Sequence, residues 1–138
     1  MNEDFVSYEL AVKLKECGFN APCFAFYEHI NGELWFSTDG AENWNGGVDF
    51  TAPTLYHAQK WLREKLLLNV GANPAIPTRK WQFYIDDLNQ QINPHDGELM
   101  TRWDDDMQEK ADERLYDSYE ADLSAGIAAA LELIKKGE

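Results

Sequence analysis

The residues from 118 to 134 constrain the fold more than any other stretch: Ser118-Tyr-Glu-Ala-Asp-Leu-Ser-Ala-Gly-Ile-Ala-Ala-Ala-Leu-Glu-Leu-Ile134. Tyr119, Leu123, Ile127, Ala130, Leu131 and Ile134 recur at helical spacing and write one apolar stripe. A helix with one such stripe has to bury it against another element, so the chain must form a packed core. The stripe itself carries no chemistry. A length of 138 residues predicts one domain over 1–138. A domain of this size buries roughly two-thirds of its unfolded surface. The aromatic share of 13% argues against disorder.

The periodicity places a first helix over 4–17, with Gly18 as its left-handed terminator and Phe19 closing the end. Pro22 prevents continuation. Residues 23–29 and 33–37 read as a hairpin around Asn31-Gly32. A polar loop over 38–50 follows. A second helix starts near Pro53 or Thr54 and runs to about Leu66, with Leu55, Ala58, Trp61, Leu62 and Leu66 on its inner face. Gly71, Asn73, Pro74 and Pro77 read as a break. Trp81-Gln-Phe-Tyr-Ile85 is a third strand, 89–97 a loop, and 98–103 its returning strand. Residues 104–117 fit either a short acidic helix, with Met107, Ala111 and Leu115 on one side, or an ordered loop. Asp117 and Glu120 have capping-box spacing at the start of the last helix.

The expected class is α+β: an antiparallel sheet of about four strands with helices packed on it, in the order α-ββα-ββα. A hairpin followed by a helix occurs twice, over 23–66 and 81–134, as a possible pseudo-repeat.

The net charge is −13 and it is uneven. Residues 86–122 hold thirteen acids and three bases, so −10 of the charge lies there. That excess repels phosphates and argues against direct binding of nucleic acid or anionic lipid. No apolar run reaches membrane-spanning length. The opening Met-Asn-Glu-Asp is acidic and no cleavable apolar segment follows, so the cytoplasm is the expected location. Free thiols are then expected at Cys17 and Cys23.

The motifs assign no reaction. Tyr84-Ile-Asp-Asp-Leu88 resembles the carboxylate hairpin of reverse transcriptases, but the chain is too short for a polymerase and lacks a basic template channel. Asp104, Asp105 and Asp106 are adjacent and cannot converge on one ion from a helix. His29, His57 and His95 have no partner at metal-ligand spacing. No nucleophile elbow or Cys/His signature is present. The glycine loop Glu42-Asn-Trp-Asn-Gly-Gly47 lacks the Lys and Ser/Thr of a phosphate loop. Its residues Trp44, Asn45, Gly46 and Gly47 are the candidate binding residues, with Trp44 either a surface anchor or folded back onto the sheet. No cofactor, metal site or catalytic residue is expected.

Two further stretches stand beside the 118–134 helix: Asn2-Glu-Asp-Phe-Val-Ser-Tyr-Glu-Leu-Ala-Val-Lys-Leu-Lys-Glu-Cys-Gly-Phe-Asn-Ala-Pro-Cys-Phe-Ala-Phe-Tyr-Glu28 and Ala52-Pro-Thr-Leu-Tyr-His-Ala-Gln-Lys-Trp-Leu-Arg-Glu64. Together the three resemble a family of small uncharacterised proteins of gut Bacteroides and related bacteria, often borne by phages or other mobile elements. In that family the middle helix often carries Gln where this chain has His57, and 67–117 is variable. The resemblance implies a cytosolic accessory protein and supplies no activity, cofactor or catalytic residue.

Three functional expectations follow. The first is a non-enzymatic accessory or protein-interaction domain of phage or mobile-element origin, with a homodimer possible through an exposed sheet face or edge. The second is an acidic mimic of DNA that blocks a nucleic-acid-binding protein, which requires carboxylates spaced along one ridge. The third is a small metal-dependent hydrolase, which requires Asp86 or Asp87 to meet a His or another carboxylate.

Overall fold

The computed structural model describes residues 4–89, 91–92, 94–95, 97, 99–100 and 103–136. The class is α+β, with antiparallel sheets and helices. The chain divides into two compact units, Met1–Ala58 and Gln59–Glu138.

In the first unit, helix α1 covers Tyr8–Glu16 and starts four residues later than its apolar pattern suggests. Ser7 is the reason: its Oγ accepts the N–H of Leu10 at 3.2 Å and caps the helix. Phe5, ahead of the cap, instead bridges Thr54 in extended form. The far end closes as expected, with Gly18 at φ 91° and the Phe19 N–H on the Leu14 carbonyl at 2.9 Å. Strands β1 (Ala25–Tyr27) and β2 (Leu34–Phe36) form the hairpin, with Ala25 opposite Phe36 and Tyr27 opposite Leu34. Gly32 turns it at φ 67°, its α-carbon facing the ring of Tyr8. A two-residue strand β3 (Phe50–Thr51) starts at the last residue of the expected polar loop and pairs with the other side of β1. The sheet order is therefore β2-β1-β3.

Side chains alternate across this sheet. Ala25 is fully buried, and Tyr27 meets Tyr8 of α1 edge to face at 5.7 Å. The Tyr27 hydroxyl donates to the Val6 carbonyl at 2.6 Å. Phe26 faces the opposite way. Val6, Leu10, Ala11, Leu14 and Phe19 make the core on the α1 side. Helix α2 (Leu55–Lys65) begins beside Thr54, whose hydroxyl accepts the His57 N–H at 3.1 Å.

In the second unit, β4 (Leu68–Ala75) and β5 (Lys80–Asp87) form a hairpin in continuous register from Leu68–Asp87 to Ala75–Lys80. This overturns two expectations. The glycine- and proline-marked break at 71–77 is mostly strand, and Trp81–Ile85 pairs backwards with β4 rather than forwards with 98–103. Gly71 is not a turn residue. It lies opposite Tyr84, and a β-carbon there would fall about 2.6 Å from Tyr84 Cε1. Its role is to let an aromatic ring lie across the neighbouring strand. Of the expected strand 98–103, Leu99–Met100 is strand β7, paired with β6 (Gln91–Ile92). Glu98, Thr101 and Arg102 lie outside the described residues. Among the described residues there are, instead of one four-stranded sheet, a three-stranded sheet and two antiparallel strand pairs, and the order α-ββα-ββα is not the one observed.

Helix α3 (Asp105–Asp112) resolves the ambiguous acidic stretch. Asp104 caps it, accepting the Met107 N–H at 3.0 Å. Helix α4 (Tyr119–Lys136) is capped by Ser118, which accepts the Ala121 N–H at 3.1 Å, and not by Asp117. Asp117 instead pairs with Lys80 at 3.2 Å on the surface. The α4 stripe packs as its spacing demands: Leu123, Ile127, Ala130 and Leu131 are fully buried. Both α3 and α4 rest on β5, and α4 also covers β4.

Gly126 sets how closely α4 approaches. A β-carbon there would sit 2.8 Å from Val70 Cγ1 and 3.0 Å from Phe83 Cβ. Glycine inside a helix costs about 1 kcal/mol relative to alanine, so close packing explains its presence. Gly126→Ala is therefore expected to destabilise by about 1–3 kcal/mol despite its better helix propensity. Urea unfolding followed by circular dichroism measures this directly, and a stabilised variant would contradict the packing account.

Asp122, also on α4, is fully buried, and neither carboxylate oxygen completes a hydrogen bond. Burial pushes its pKa up to about 7, with the Phe83 backbone N–H opposing part of the rise. The folded state then holds a proton that the unfolded chain releases, so stability declines as pH rises from about 4 through about 7. Asp122→Asn should flatten that decline, stabilising at pH 8 on the order of 3 kcal/mol with little change near pH 4. Melting curves across this range test it; a parallel pH profile for both proteins would refute the assignment.

Candidate functional site

The Trp44–Gly47 loop is held by its own side chains. Asn45 Oδ1 accepts the Thr51 N–H at 2.8 Å, and its Nδ2 donates to the Phe19 carbonyl at 2.8 Å. The Trp44 N–H donates to the hydroxyl of Thr51, also at 2.8 Å. Lys15 Nζ reaches the carbonyls of Gly47 at 2.5 Å and Asp49 at 3.0 Å, and lies over the Phe50 ring. Neither Gly46 nor Gly47 has a positive φ, and a β-carbon at either meets no close contact. Asn45 is thus a loop organiser, and the glycines leave the surface flat.

Trp44 is half-buried and stacks on Phe26, with ring centroids 4.4 Å apart and planes 25° apart. Phe26 is directly opposite Trp35 of β2. Trp35 remains 52% exposed, and Phe24, just ahead of β1, is 63% exposed. Phe26, Trp35 and Trp44 therefore share the sheet face turned away from α1, with Phe24 beside them. Glu33, Asp39 and Glu42 are exposed in the segments that flank it. The sequence marked Trp44 in this cluster; the alternation within β1 was the signal for the rest.

His29 reaches Asp49 through Nδ1 at 2.8 Å and through its backbone N–H at 3.1 Å. The histidine hydrogen bond holds the Asp49 carboxyl below its ordinary pKa. This pair ties the hairpin turn to the loop before β3.

Folding brings together one pair that spacing did not reveal. Cys23 Sγ lies 3.6 Å from His57 Nδ1 and 3.5 Å from the Ala21 carbonyl. A thiolate would be needed for nucleophilic work, yet burial pushes the Cys23 thiol up to about 12. The thiol is a packed, protonated group at neutral pH. Neither Cys17 nor Cys23 is in a disulfide.

The carboxylates do not gather. Asp86 and Asp87 are successive strand residues and point to opposite faces. Asp86 accepts from Asn69, while Asp87 is buried and accepts the Asn89 N–H at 3.0 Å. Among the described residues no group of three His, Cys, Asp or Glu could hold a metal ion. Asp87 and Asp122 are buried and so lie off any exposed acidic ridge, whereas Asp104, which caps α3, and Asp112, which accepts from Gln108, remain exposed.

The second unit contains a groove of about 650 Å³ between α3 and α4. Gln108 does not line it but holds two residues that do, Phe83 and Trp103. Its Nε2 donates to the Phe83 carbonyl at 3.0 Å, and its Oε1 accepts the Trp103 indole N–H at 2.9 Å. Trp103 and Tyr116 are thereby grouped around Phe83, at centroid distances of 6.0 and 6.5 Å. The sequence motifs mark no candidate site here. Met107, Lys110, Ala111 and Arg114 recur at helical spacing, which was the available signal.

No family model, curated protein or solved structure matches the chain.

The cysteine geometry makes a direct prediction. Half-exposed Cys17 should react with a thiol-specific reagent at pH 8 in the folded protein, whereas Cys23 should react only on unfolding. Two equally fast thiols in the native state would contradict the packed, protonated state of Cys23.

Proposed function

We propose that this chain is a non-enzymatic protein-interaction module that binds through the Phe24, Phe26, Trp35 and Trp44 face of its first unit. The observation that carries this reading is the exposure of Phe24 and Trp35 beside a stacked Phe26–Trp44 pair. Exposed aromatic clusters of this kind mark interaction surfaces, and Trp dominates binding hot spots. The flanking Glu33, Asp39 and Glu42 favour a partner protein that is apolar at the centre of its contact and rich in Lys and Arg at the rim. The buried, protonated Cys23 and the diverging Asp86 and Asp87 support a role without catalysis. The family resemblance supports a cytoplasmic accessory function in a phage or mobile element. No helix among the described residues is long and apolar enough to cross a membrane.

Capture from host lysate at low and high salt, followed by titration of the purified partner, tests the reading. Trp35→Ser should weaken the purified partner by about tenfold or more while leaving the melting temperature nearly unchanged. Full affinity in that variant would overturn it. A nucleic-acid-binding partner released by salt and indifferent to Trp35 would favour the acidic-mimic reading instead. A dimeric mass by light scattering, lost in Trp35→Ser, would assign the face to a second copy of the chain.

A further inference from the structure

We propose that the groove between α3 and α4 is a binding site for a small planar aromatic carboxylate. The proposal goes beyond the interaction reading and does not rest on it. A volume of about 650 Å³ falls within the range of small-ligand pockets.

The lining combines two kinds of surface. Phe83, Trp103 and Tyr116 contribute aromatic rings, tilted 46° and 42° about Phe83, and Ala125, Ala128 and Ala129 of α4 contribute methyl groups. A flat aromatic ring gains contact with both.

Charge selects the head group. Only three bases occur among the thirteen acids of residues 86–122, and two of them, Lys110 and Arg114, line this groove. They stand four residues apart, both are exposed, and among the described residues neither forms an ion pair. The groove thus draws two cations without ion pairs from an otherwise acidic segment. The arginine fork matches a carboxylate in two parallel hydrogen bonds, and Lys110 adds a point charge. Glu132 is the one acid among the described lining residues and disfavours a second negative charge on the ligand.

The test is calorimetric titration of the full chain with 2-naphthoate, its neutral isostere 2-naphthamide, and octanoate. Saturable binding of 2-naphthoate at one site is expected. The amide should bind about tenfold more weakly, and so should the acid to Arg114→Gln. Ala128→Phe should fill the slot and abolish binding. Arg114 is exposed, so its variant keeps the test decisive if the filled variant fails to fold. No binding of 2-naphthoate would overturn the proposal, as would equal affinity for the amide. Octanoate binding as tightly as 2-naphthoate would overturn the planar-ring assignment. A dimer that Ala128→Phe disperses would give the groove to a second copy of the chain.

Discussion

The outer edge of β5 is the constraint on which the second unit depends. A strand paired on one side only exposes backbone groups that must find partners. Here β4 takes one side, and three different groups meet the other. Tyr116 exchanges two backbone hydrogen bonds with Trp81, each 2.8 Å. The Gln108 amide takes the Phe83 carbonyl, and the Asp122 carboxyl lies near the Phe83 N–H without completing a hydrogen bond. Each of these contacts also positions an element. Tyr116 leads the chain into α4, where Tyr119 meets Trp81 edge to face at 5.3 Å. Gln108 fixes α3. The groove is the space left between two helices anchored to one strand.

The first unit solves the same problem with less structure. Its three short strands are held against α1 by aromatic contacts, Tyr8 meeting both Tyr27 and Phe50 edge to face. Burying that face leaves the other to Phe26, Trp35 and Trp44. Three strands are few for independent stability without a packed helix, so α1 is part of the sheet's support. The aromatic outer face is the consequence that bears on function.

The sequence made the helices legible and much of the sheet illegible. The α4 stripe, the Gly18 terminator and the Asn31-Gly32 hairpin are local signals, and the structure forms all three. β4 was hidden because Gly71 and Pro74 normally punctuate, whereas here Gly71 serves the Tyr84 ring and Pro74 lies near the hairpin end. The pairing of β5 with β4 is a tertiary choice that alternation cannot specify. β3 is two residues long and has no period to read. For the candidate surfaces, Trp44 was visible as an isolated aromatic in a polar loop. Its neighbours Phe26 and Trp35 were visible only as strand residues, because which face is buried depends on where α1 packs. Cys23 and His57 are 34 residues apart and meet only through the fold.

The central claim is that side-chain groups on the β5 edge, Gln108 above all, dock α3 and thereby shape the groove. Amide hydrogen exchange of Gln108→Met against the native protein tests it most directly. The account predicts that amides within 107–112 lose protection by about tenfold or more, while Val70 and Ile85 in the hairpin keep theirs. Unchanged protection across α3 would contradict it, because the helix would then be held by contacts other than the Phe83 edge.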